Sequence, residues 1–77
     1  MLHIGKKIKE VFDSQPKSHT ISWFASMLNC DRRNIYHIFN RPNIDIELLK
    51  RISIILGYDF FRDISQEMTM KEKQDDM

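Results

Sequence analysis

One cysteine, Cys30, excludes a disulfide framework within the chain and makes a reducing compartment the natural setting. Glycine and proline are scarce, with two of each, and no stretch alternates apolar and polar residues as a half-buried strand does. Helices are therefore expected to dominate. No apolar run approaches the roughly 18 residues that span a membrane. The opening "MLHIGKKIKE" places lysines directly after its first apolar residues and has no long apolar region. It is not expected to act as a signal peptide, and a cytoplasmic location follows. Catalytic signatures are missing too. There is no Gly-rich phosphate loop, no Ser/His/Asp arrangement and no pair of carboxylates in a plausible cleft, so the chain is not expected to be an enzyme. His19, Cys30 and His37 lack zinc-like spacing, so neither a metal nor another cofactor is expected.

What remains is a chain of 77 residues, enough for one small domain whose core can form without staples. Its net charge of +1 hides an asymmetry. Met1 to Arg41 carries seven Lys/Arg against three Asp/Glu; Pro42 to Met77 carries five against eight. A local basic half can attract polyanions even when the whole chain is near neutral.

Four helices follow from period and caps. Ile4, Ile8, Val11 and Phe12 form one stripe of a helix from about Ile4 to Ser14. Pro16 then forces a loop. Thr20 caps a second helix running to about Met27 or Leu28, with Phe24, Ala25 and Leu28 inward. Asn29 tolerates the left-handed backbone of a tight exit. Asp31 caps a third helix, ending near Asn40, with Ile35, Ile38 and Phe39 inward. Asp45 caps a fourth through about Leu56, with the seam Leu49, Ile52, Leu56, small Ser53 beside it and Gly57 as its stop. Asp59 caps a short fifth, "FFRDI". The domain thus spans residues 1–64. Residues 65–77 are polar and read as a frayed helical extension or a disordered tail.

The second helix, a break of about three residues and the third helix make a helix-turn-helix pattern, with Ala25 allowing close approach. The stretch "TISWFASMLNCDRRNIYHIF" with "IDIELLKRISIILGYDFF" resembles the Cro/repressor-type, or XRE, helix-turn-helix family. The family's ordered positions are held here by Thr20, Phe24-Ala25, Asn29-Cys30, Asp31, Ile35 with Ile38, and Leu49, Ile52, Ser53, Leu56 and Gly57. The likeness covers about Ile4 to Ile64. It implies an all-α, compact five-helix Cro/repressor-like domain that binds double-stranded DNA. It also has departures. Ile21 stands where the family often has a phosphate-binding Gln, Phe39 replaces a frequent polar residue, and the first loop is about two residues longer than usual.

The resemblance implies that Arg32, Arg33, Asn34, Tyr36 and His37 read bases. Their chemistry agrees: Arg pairs bidentately with guanine and Asn with adenine, each good pair contributing roughly 1–3 kcal/mol of discrimination. Thr20, Ser22, Arg41, Asn43 and Lys17 would meet phosphates, with Lys6 and Lys7 adding longer-range attraction. Blander readings stand beside these. Arg32 and Arg33 fit a merely solvated face, Tyr36 fits half-buried packing, Cys30 fits an apolar plug in the turn, and Trp23 fits structural packing against the loop. Ile54, Ile55 and Phe61 leave apolar surface on the fourth and fifth helices, which points to a homodimer with two recognition helices one DNA turn apart. The expected function is a transcriptional repressor. The alternative is a protein-interaction module, such as an antitoxin, that keeps the same shape and holds an unknown protein partner. With no separate ligand-binding domain expected, any sensing would come from a partner or from abundance.

Overall fold

In α1 (Ile4–Asp13) the predicted stripe faces inward: Ile4, Ile8 and Val11 are buried. The computed structural model describes the backbone of residues 2–75 and the side chains of residues 2–69. Four helices follow: α2 (Ile21–Met27), α3 (Arg32–Asn40), α4 (Ile46–Leu56) and α5 (Phe60–Asp75). Among the described residues the chain is all-α, as expected, and no helix is long and apolar enough to cross a membrane.

The helix starts follow local chemistry. The Thr20 hydroxyl accepts from the Trp23 amide at 3.1 Å, and the Asp45 carboxylate accepts from the Leu48 amide at 2.9 Å. Asp59 accepts from the amides of Phe61 and Arg62. At α1 the cap is His3, whose Nδ1 accepts from the Lys6 amide at 3.0 Å. Asp31 corrects the expectation. It occupies the N-cap position of α3, but its side chain makes no cap bond. The Asn34 amide instead donates to the main-chain carbonyl of Asp31 at 3.0 Å, so the donor that the carboxylate would take is already used.

The core gathers residues from all five helices, including Ile8, Phe24, Ile35, Ile52 and Phe60, all at 1% exposure or less. Fully burying side chains of this size contributes about 1.5–3 kcal/mol each. An aromatic trio joins three helices. Phe12 of α1 stacks on Phe24 of α2 with centroids 5.3 Å apart, and both meet Phe39 of α3. The long loop is tied down as well. Gln15 donates from Nε2 to the Leu56 carbonyl at the end of α4, and its Oε1 lies 3.0 Å from His19 Nδ1. His19 in turn stacks on Trp23 with centroids 3.8 Å apart, which gives Trp23 the packing role.

α5 runs beyond the short segment "FFRDI" and follows the helical-extension alternative. It continues through residues 65–75 because that stretch holds helix formers and no Gly or Pro; of the expected tail, residues 76–77 lie outside the described residues. Phe60 is buried at 1% exposure while Phe61 is only half-buried. Phe60 and Ile64 share one side of α5 at the i, i+4 spacing, and that side meets the core.

Candidate nucleic-acid interface

A tight, fixed turn presents α3. Asn29 adopts a left-handed backbone with φ 56°. The Cys30 amide donates to the Ala25 carbonyl at 2.9 Å, and the Asn29 amide to the Ser26 carbonyl at 3.1 Å. These two bonds form the Schellman exit, and they set α2 and α3 in direct contact.

The far end of α3 is held by α1. The amides of Ile4 and Gly5 donate to the carbonyls of Pro42 and Arg41, at 3.0 and 2.9 Å. The positive start of one helix thus meets the negative end of another. A Cβ on Gly5 would clash with the carbonyl oxygens of Ile38, Phe39 and Arg41, so only glycine permits this approach. With both ends fixed, α3 has a defined outer face.

The residues of that face follow from a turn of about 100° per residue. With Ile35, Ile38 and Phe39 buried, Arg33, His37 and Asn40 point straight outward. Arg32 and Tyr36 flank them on the Phe39 side; Asn34 and Arg41 flank them on the Ile38 side. All five base-reading candidates, Arg32, Arg33, Asn34, Tyr36 and His37, are exposed. Tyr36 remains 50% exposed while its ring meets the edge of Phe39. The ion pairs among the described residues join Lys7 to Glu10, Lys9 to Asp13 and Lys50 to Glu47. None involves an arginine, so Arg32, Arg33 and Arg41 present uncommitted guanidinium groups.

The phosphate candidates divide. Thr20, Ser22 and Lys17 are exposed around the start of α2. The Thr20 oxygen accepts the cap bond, which leaves its hydroxyl proton free to donate. Lys6 follows Gly5 and so stands beside the exit of α3. Arg41 and Asn43, though two residues apart, serve different grooves. Arg41 lines one of about 300 Å3 beside Asn34 and His37. Asn43 lines another of about 340 Å3, with Leu2, Ile64 and Met68. The proposed dimer residues divide too: Ile54 is 80% exposed, whereas Ile55 and Phe61 lie half-buried against the core.

The chain matches no family model, no curated protein and no solved structure.

Chemically the surface is a cationic helix rich in hydrogen-bond donors, and the sequence reading missed one contributor to it. Arg51 of α4 donates from Nη2 to the Leu28 carbonyl at 3.2 Å and lines the same groove as Arg41. Nothing local marks it, since its partner lies in the turn after α2. Cys30 lines this groove as well. Burial first, and the Asp31 charge second, push its thiol above the ordinary range; Arg51 pulls the other way. On the opposite flank Lys7 lies over the Tyr58 ring at 5.5 Å. Desolvation would lower its pKa, but Tyr58, Glu10 and Asp63 outweigh that and raise it. The Tyr58 hydroxyl is raised chiefly by its bond to Asp63. Lys7 is thus engaged at the surface by Glu10 and the Tyr58 ring and contributes less to the cationic face than Lys6.

Proposed function

We propose that the chain is a sequence-specific double-stranded-DNA-binding regulator of the Cro/repressor (XRE) kind, acting as a homodimeric repressor that reads the major groove with α3. The observation that carries this reading is a helix clamped at both ends, with arginines and amide donors outward and none of its arginines in an ion pair among the described residues. Such a helix fits the wide major groove. Arg33 and His37, flanked by Arg32, Tyr36 and Asn34, would meet base edges, and Thr20, Ser22 and Lys17 would position the backbone.

The test is binding of the purified protein to a random DNA library, followed by affinity for the selected site across a salt series. Arg32→Ala with Arg33→Ala is expected to weaken specific binding by about 2–6 kcal/mol if both arginines pair with bases. An unchanged affinity and salt slope in that double variant would sink the mechanism.

One observation favours a second reading, that of an antitoxin-like interaction module. Ile54 and Met68, at 80% and 60% exposure, leave apolar surface on α4 and α5, away from α3. A stable complex with another protein on co-purification, combined with no salt-sensitive DNA affinity, would favour it over DNA binding.

A further inference from the structure

The groove between α3, α4 and the turn after α2 has an apolar floor of Leu28, Ile38 and Leu48. Its rim carries Arg41, Arg51 and His37. Neither arginine takes part in an ion pair among the described residues. Arg51 is also partly ordered in advance, because its bond to the Leu28 carbonyl fixes the guanidinium. A ligand would lose less affinity to ordering that side chain, and its remaining donors are free to grip an anion.

An apolar bed beside two guanidinium groups is complementary to a small molecule with a carboxylate at one end and hydrocarbon at the other. The volume of about 300 Å3 lies at the lower bound of ligand sites, about 300–1,000 Å3. It therefore accommodates a short chain or a single ring.

We propose that this groove is an effector site for a small amphipathic carboxylate, and that filling it excludes DNA. The exclusion rests on the DNA-reading role of α3 given above. Asn34 and His37 line the groove and also belong to the reading face, so one set of side chains serves both ligands. A carboxylate held at Arg41 and Arg51 also sets negative charge where the DNA backbone approaches. By linkage, DNA must weaken the effector by the factor by which the effector weakens DNA.

Octanoate is the probe, with octanamide as its uncharged counterpart. In isotope-labelled protein followed by NMR, millimolar octanoate is expected to shift the amides of Leu28, Ile38 and Leu48. It is also expected to slow iodoacetamide alkylation of Cys30, the only thiol of the chain. Octanamide should bind about tenfold more weakly, as should octanoate to Arg51→Gln. Because Arg51→Gln also gives up the Leu28 bond, Leu48→Trp serves as a second variant that fills the groove from a half-buried position. At constant ionic strength, octanoate should raise the apparent Kd of the parent for its selected DNA, and Leu48→Trp should abolish the octanoate-induced amide shifts and the protection of Cys30. Octanamide binding as tightly as octanoate overturns the site, as do shifts confined to the groove of Leu2, Ile64 and Met68. Octanoate filling the groove with DNA affinity unchanged overturns the exclusion. A parent that binds octanoate but no DNA overturns both the exclusion and the regulator reading, and leaves the carboxylate site standing.

Discussion

Asn29 and Gly57 hold nearly the same left-handed backbone, at φ 56° and 64°. Each closes a helix with the same six-to-one bond: Cys30 amide to Ala25 carbonyl, and Tyr58 amide to Ser53 carbonyl. A side chain in this region costs roughly 1–2 kcal/mol, which Asn offsets better than most residues. Asn29→Gly is therefore expected to melt at or above the parent temperature, and Asn29→Val to lose about 1–2 kcal/mol in urea unfolding. Equal stability of all three proteins would contradict this account of the turn. The neighbouring thiol yields a pH prediction. The folded pKa of Cys30 is raised, so less thiolate, the nucleophile, is present at mildly alkaline pH than in the unfolded chain. Alkylation of the native protein should be slower there and climb as pH rises through the raised value. Asp31→Asn should move that profile to lower pH and Arg51→Gln to higher pH; a profile indifferent to both would refute the stated causes.

Among the elements, the contact of α1 with α3 has the sharpest consequence. Viewed as an isolated helix, Gly5→Ala should stabilise by about 0.5–1 kcal/mol. In the fold the added methyl meets three main-chain oxygens, and the expected result has the opposite sign, a loss of about 1–3 kcal/mol. Urea denaturation decides between the two signs, with exposed Lys6→Ala as a control near zero. The same contact marks the limit of what the sequence made legible. Thr20, Asp45, Gly57 and Asp59 announced their helix ends because a cap and its partner lie within a few residues. The buried stripes of α1 to α4 were equally readable from period. Gly5 was not, because its reason lies in residues 38–41. Arg51 and Gln15 were not, because each serves the carbonyl of a distant helix end. Asp31 misled because a cap-type residue does not reveal that its own carbonyl already holds the donor. Phe60 was not legible either, because Ile64 stands at i+4 from Phe60 and at i+3 from Phe61, and both spacings share a helix face. The five candidate reading residues were predicted on the outer face, where the structure places them; the groove beside them needed three elements to be seen together.

At the scale of the whole molecule, Ile54 is the proposed dimer residue that stands clear of the core. If two copies join through this face, Ile54→Asp should sediment as a monomer and lose affinity for a two-half-site DNA while keeping the parent's helical content, with a melting temperature that no longer rises with protein concentration. A dimer that survives this substitution would place the contact elsewhere. Finally, the clamp on α3 has a consequence for the order of synthesis. The carbonyls that receive α1 belong to Arg41 and Pro42, made 36 and 38 residues after Gly5 and Ile4. At about 5–20 residues per second, roughly 2–8 s pass before the partner of the first helix exists. Throughout that interval α1 lacks the carbonyls that cap its start in the folded protein, and its docking on α3 waits for the turn that follows α3.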